Sequence, residues 1–202
     1  MTRPLCLVGM SGVGKSHLSH ALAERGWGWH DCDTEIAARL GALVSAAPGE
    51  APVHTLGRWM GMPWSDGYGE RERRYLELEE EVTRAALEAA RAGDGPQVID
   101  TTGSVIYLSE GLREALRDAC DVVYLRTPSE DHARMLELYL REPKPVVWGG
   151  LYTATGPEAL PTAYPALLAE RERRYLALAH RWVWATALRG LTIAESLRLI
   201  GG

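Results

Sequence analysis

Five short runs of aliphatic, aromatic or β-branched residues recur along the chain, at 4–8, 27–30, 97–100, 122–125 and 183–186, and each reads as a strand, the first of them buried. Between them, apolar positions at helical spacing predict helices over 16–25, 34–40, 70–91, 110–119, 130–141, 164–181 and 193–200. Short strands alternating with helices predict a parallel sheet covered on both faces, here an α/β fold of three layers (α/β/α) with a five-stranded parallel sheet. Ligands in such a fold sit beyond the carboxyl ends of the strands. Three polar segments fall there, at 9–16, 30–33 and 100–104. Two stretches have no clear period. The first, 41–69, is rich in Gly, Pro, Ala and Trp; the second, 142–161, is rich in Pro and Gly. Both read as loops, and loops this long inside one domain are usually lids or binding segments.

The segment at 9–16 reads Gly9-Met10-Ser11-Gly12-Val13-Gly14-Lys15-Ser16 and fits G-x-x-x-x-G-K-[ST], a phosphate-binding loop. Its position between a strand and a helix is the one the chemistry requires. Glycines let successive backbone N–H groups face a polyphosphate, and the helix N-terminus adds partial positive charge. Lys15 reaches the β- and γ-phosphates, and the Ser16 hydroxyl binds Mg²⁺. His17 donates its backbone N–H. ATP and Mg²⁺ are therefore the expected cofactors, with Gly9, Ser11, Gly12, Val13, Gly14, Lys15, Ser16 and His17 around the nucleotide.

Length and composition narrow the setting. A chain of 202 residues predicts one domain. A net charge of −5 without a long basic stretch argues against a nucleic-acid partner. No apolar run is long enough to span a bilayer, and a strand at the start argues against a signal peptide. Cys6, Cys32 and Cys120 are odd in number and scattered, which fits a reducing cytoplasm better than a disulfide framework or a zinc site. Of 22 basic residues only Lys15 and Lys144 are lysine. Lysine is a compact point charge on a flexible stem, so Lys144 is a candidate second phosphate contact.

Asp31 and Asp33 follow the second strand, and Asp100 ends the third. Beside a phosphate loop, Asp33 can orient a hydroxyl and accept its proton, while Asp31 and Asp100 can serve a metal. Either aspartate of the pair can instead cap the helix that follows. A heptapeptide also repeats: Glu70-Arg71-Glu72-Arg73-Arg74-Tyr75-Leu76 returns as Glu170-Arg171-Glu172-Arg173-Arg174-Tyr175-Leu176. Most of these charges read as solvated faces laced with Glu/Arg pairs, with single arginines free to hold an anion.

With the phosphate loop, Asp31-Cys32-Asp33, Gly69-Glu70 with Arg74 and Glu77, and Glu170-Arg171 with Tyr175, the chain resembles the shikimate kinase family, whose fold is that of the nucleoside-monophosphate kinases. The resemblance spans the chain except for about 43–64, which resembles an insertion in the acceptor-binding region. It implies a single kinase domain over 1–202, with acceptor binding at about 34–92 and a lid at about 142–161. It implies a small anionic acceptor, shikimate or a related hydroxy acid, phosphorylated on a hydroxyl by a monomer, with a dimer left open. Asp31 then lies near Mg²⁺, Asp33 contacts the acceptor hydroxyl, and Arg74 and Arg171 grip the acceptor carboxylate. Lys144 takes the place of the lid arginine, and adenine lies near 187–191.

There are departures. A triple-glycine motif of the family corresponds to Thr102-Gly103-Ser104, which adds two hydroxyls where an acceptor meets backbone. Trp59 and Trp64 in the insertion add flat apolar surface. Together they imply an acceptor related to shikimate in shape but different in identity. Gly61-Met62-Pro63-Trp64-Ser65-Asp66 is similar to a segment of gluconate kinase, which keeps a sugar-acid kinase as an alternative. A non-catalytic nucleotide-binding protein is a further one. A regulatory GTPase is excluded, because the Asn/Thr-Lys-x-Asp motif that reads guanine is absent.

Overall fold

The computed structural model describes residues 3–44 and 49–201. All five expected strands are present: β1 (Leu5–Val8), β2 (Gly28–Asp31), β3 (Gln97–Asp100), β4 (Asp121–Arg126) and β5 (Arg181–Trp184). They form one parallel sheet in the order β2-β3-β1-β4-β5. Alternate residues of the inner strands β1, β3 and β4 bury into opposite faces, while the edge strands β2 and β5 are less covered. Cys6, Val8, Ile99, Val122 and Tyr124 pack on one side, while Leu5, Leu7, Val98, Val123 and Leu125 pack on the other. Both faces are therefore apolar, which is why the strands show no polar alternation in sequence.

The helices are α1 (Lys15–Ala23), α2 (Cys32–Leu40), α3 (Pro52–Met60), α4 (Tyr68–Ala92), α5 (Glu110–Ala119), α6 (His132–Arg141), α7 (Leu160–Leu178) and α8 (Ile193–Gly201). Helices α1 and α8 cover one face through Leu18, Leu22 and Ile200, and α2, α3, α4, α5 and α7 cover the other. Helix α7 starts four residues before the expected position, at Leu160, because Pro161 lies in its first turn, where a missing N–H costs nothing.

Helix α3 corrects the reading of 41–69 as loop. Pro52 opens it at its first position, and Leu56 and Met60, one turn apart, bury completely. Its Gly57 lies flush against the segment that follows α6. A Cβ there would stand 2.8 Å from the Lys144 Cα and closer still to the Pro143 carbonyl. Helix α3 thus fixes the base of the expected lid. The remainder of the insertion at 45–48 lies outside the described residues. No helix among the described residues is long and apolar enough to cross a membrane.

Candidate active site

Sheet register assembles the site. Asp31 pairs with Asp100, and Asp100 pairs with Leu7, one residue before the end of β1. Two carboxylates therefore stand beside the loop that leaves β1. That loop leans on the sheet: a Cβ on Gly9 would sit 2.7 Å from the Leu125 carbonyl oxygen, and its φ is +146°, so the close approach requires glycine. Gly14 caps α1 without a side-chain hydrogen bond, which leaves the first N–H groups of the helix open to an anion. The Lys15 ammonium is buried and donates to the carbonyls of Gly9 (2.9 Å) and Met10 (3.2 Å). Burial lowers its pKa, against the opposing pull of Asp100 and Asp33.

Lys144 reaches the same loop from the other side. Its Nζ lies 2.9 Å from where a Cβ of Gly12 would be. The segment carrying it is docked. Val146, Val147 and Trp148 are buried, and three side chains hold their backbone. Tyr68 reaches the Val146 carbonyl, Arg171 Nη2 donates to the Val147 carbonyl (2.7 Å), and Glu72 accepts the N–H groups of Trp148 and Gly149. Gly149 and Gly150 form a turn with φ of +57° and +82°, closed by Leu151 N–H on the Trp148 carbonyl.

Ser11, Gly12, Gly14, Lys15, Ser16, His17, Asp31, Asp33, Gly103 and Lys144 all line one pocket of about 350 Å³. Trp29, Ala51, Pro52, Val53, Tyr75 and Pro145 complete its walls. Burial pushes the Asp33 carboxyl up to about 7, against the pull of Lys15, with the Tyr75 hydroxyl at 3.5 Å. Burial likewise pushes Asp100 up to about 6, against Lys15 and Ser16 beside it. Asp31 caps α2, accepting from the Thr34 N–H (3.1 Å) and hydroxyl (2.6 Å). A second cavity of about 190 Å³ shares Ser11, Gly12 and Lys144. It also holds Val13, Thr127, Arg134, Met135, Tyr139 and Arg171, and the chain after β5 meets it at Ala185, Thr186 and Arg189, the last within the expected 187–191.

The donors present fit Mg²⁺. Asp100 Oδ2 is buried without a hydrogen-bond partner among the described residues, and the Asp100 carboxyl lies beside the Ser16 hydroxyl. These are hard oxygen ligands, and Mg²⁺ takes few from protein when phosphates and water supply the rest. Asp31 accepts from Thr34 through both carboxylate oxygens, whereas Asp100 Oδ2 accepts from no described group, which favours Asp100 as the direct donor.

Several expected site residues stand elsewhere. Arg74 is exposed and pairs with Glu77 on its own helix (3.3 Å). Its place in the fold differs from that of Arg171, which is fully buried, donates to the carbonyls of Gly103 (3.3 Å) and Val147, and stacks over Tyr107. In the first heptapeptide the counterpart of Arg171 is Arg71, and it too binds backbone carbonyls, those of Met60 and Asp66. The two arginines expected to grip one carboxylate are therefore not brought together. The hydroxyls of Thr102 and Ser104 turn away from the pocket, and both donate to Glu79. Trp59 and Trp64 do not line the pocket either; Trp64 packs on Tyr152 (5.6 Å), and the pocket takes Trp29 instead. The segment 61–66 forms a turn closed by the N–H of Met62 on Ser65 Oγ, also outside the pocket.

Tyr75 lines the pocket and Glu72 and Glu79 brace the segments around it, places the sequence reading did not assign them. Residues 75, 78, 79 and 82 share one helical face, and three are apolar or aromatic, so a lone Glu79 among them was a legible signal. Glu79 is fully buried, and burial pushes it from 4.5 up to about 7 despite the Ser104 and Thr102 hydrogen bonds. Between those values the folded chain binds the proton more tightly than the unfolded one, so stability falls as pH rises through this window and levels off above it. Glu79→Gln is expected to remove that slope, worth at most roughly 3 kcal/mol. Thermal unfolding midpoints of both proteins from pH 5 to pH 8 would test it; parallel profiles would contradict it.

No protein-family model matches the sequence, and no curated protein does. Solved structures do. Shikimate kinase from Acinetobacter baumannii in complex with shikimate matches with a TM-score of 0.59 and 25% identity, over 99% of this chain and 93% of that one. Shikimate kinase from Bacteroides thetaiotaomicron matches with a TM-score of 0.62 and 19% identity, over 97% and 94%. The Aquifex aeolicus enzyme gives 0.54 and 15%, over 98% and 91%. The chain thus resembles the shikimate kinases along nearly its whole length, and its fold is that of a P-loop kinase.

Proposed function

We propose that this chain is an ATP-dependent kinase that transfers the γ-phosphate to a hydroxyl of a small acceptor. The observation that carries this reading is the convergence of the phosphate loop, Lys15, Lys144 and Asp33 on one pocket. The loop N–H groups and Lys15 hold the phosphates in this reading, and Ser16 and Asp100 would hold Mg²⁺, which neutralises charge on the phosphate oxygens when bound. Asp33 accepts the hydroxyl proton as the acceptor oxygen bonds to the γ-phosphorus and the bond to the bridging oxygen of ADP breaks. The base of the nucleotide occupies the cavity between α6 and the segment after β5. The three cysteines are free and buried, which suits a cytoplasmic chain. The finer expectation of a hydroxy acid such as shikimate rested on paired guanidinium forks, and Arg74 and Arg171 do not supply them.

Lys144 tests the reading. Lys144→Ala removes a cation from the rim of the loop, and turnover is expected to fall about 10²-fold or more, within the range for one electrostatic donor. Nucleotide affinity should weaken as well. ADP release and equilibrium binding of an ATP analogue would measure both. Unchanged turnover would remove Lys144 from the site.

A further inference from the structure

We infer that the acceptor carries no carboxylate: the pocket beside the phosphate loop is built for a hydroxylated molecule that is uncharged or bears an amine. This rests on the kinase reading above and departs from the hydroxy acid that the sequence suggests. Two cations line the pocket, Lys15 and Lys144, and both lie at the phosphate loop, where a triphosphate engages them. No arginine lines it among the described residues. Every arginine that approaches has another task. Arg171 and Arg71 hold backbone carbonyls, and Arg74 faces solvent beside Glu77. Away from the phosphate loop, the polar side chains left for an acceptor are the Asp33 carboxyl, the Tyr75 hydroxyl and the single neutral N–H of Trp29, with the Asp31 carboxylate, already accepting from Thr34, beside them.

An acceptor carboxylate would then lie near two aspartates and the γ-phosphate without a guanidinium to meet it. Like charges brought together in a partly dry pocket strongly disfavour binding. Hydroxyls and ammonium groups reverse the sign, because they donate to carboxylates. The other walls, Trp29, Tyr75, Pro52 and Val53, are flat or apolar, a surface on which the C–H face of a polyol ring packs.

Matched acceptors separate charge from shape. ADP release with ATP and Mg²⁺ would be measured for gluconate, glucitol and glucamine, and for shikimate and its methyl ester. In at least one set, the uncharged or amine-bearing member should exceed its carboxylate in kcat/KM by tenfold or more, and glucitol against glucamine reports which of the two charges is preferred. A smaller ratio in both sets, or a preference for the carboxylate, overturns the inference. So does a panel in which nothing is phosphorylated above the water background. The kinase reading is judged apart from this, by whether ATP hydrolysis and nucleotide binding depend on Lys15. Val53→Arg adds an independent arm: a guanidinium on the pocket wall is expected to raise gluconate or shikimate use at least tenfold relative to wild type. No gain in a folded Val53→Arg protein would count against a charge-selected pocket.

Discussion

Replacing Lys15 by alanine is expected to lower turnover by about 10³-fold, roughly 4 kcal/mol of transition-state stabilisation. Two effects combine in that figure. The ammonium lies inside the phosphate loop, where low dielectric strengthens its attraction to developing charge on the transferred phosphoryl group. It is also the cation that opposes the upward push of burial on Asp33 and Asp100. Without it, both carboxyls hold their protons to higher pH. The variant should therefore lose catalysis and bind Mg²⁺-nucleotide less well, with the deficit largest at low pH. Initial rates of ADP formation from pH 6 to pH 9, with circular dichroism to establish folding, would measure this. A folded Lys15→Ala protein within tenfold of wild type would refute the assignment of the phosphate site.

Asp33→Asn carries the second large effect. Asparagine keeps shape and volume while removing the proton acceptor, so turnover at saturation should fall by about 10² to 10⁴-fold. Nucleotide affinity should change little, because the loop, Lys15 and Lys144 are untouched. The split between the two measurements is the informative part. If nucleotide affinity collapses while saturating turnover survives, Asp33 serves the metal, and the proton goes elsewhere. The geometry argues against that outcome: Asp33 faces the pocket with Tyr75 at 3.5 Å, whereas Asp100 has a buried oxygen free for a cation.

How much of the site could be read in advance depended on whether its parts are contiguous in sequence. The phosphate loop was legible because its work is done by successive backbone N–H groups within eight residues. Asp31 and Asp33 were legible as a pair at a strand end, but their division of labour was not. Asp31 turned out to cap α2, a choice decided by whether Thr34 folds back onto it. Arg74 illustrates the opposite case. A heptapeptide with three arginines contains no information about which one turns inward, since that depends on the rotation of a 25-residue helix against its neighbours. Helix α3 was lost to its glycine and proline content, although Pro52 is a helix-opening signal and Gly57 is there for contact with Pro143 and Lys144.

Five strands, seven of the eight α-helices among the described residues, the phosphate loop and the one lysine outside it were determined by the sequence alone, because each depends on local periodicity or on a short run of residue types. Tertiary structure decided the rest. Register set Asp100 beside Asp31, and α3 set the position of Lys144. Packing of α4 and α7 committed Glu72, Glu79, Arg71 and Arg171 to the backbone at Val147 and Trp148, the Thr102–Ser104 turn and neighbouring carbonyls. A buried charge must find partners wherever the fold offers them, and for Glu72, Glu79 and Arg171 those partners lie tens of residues away in the chain.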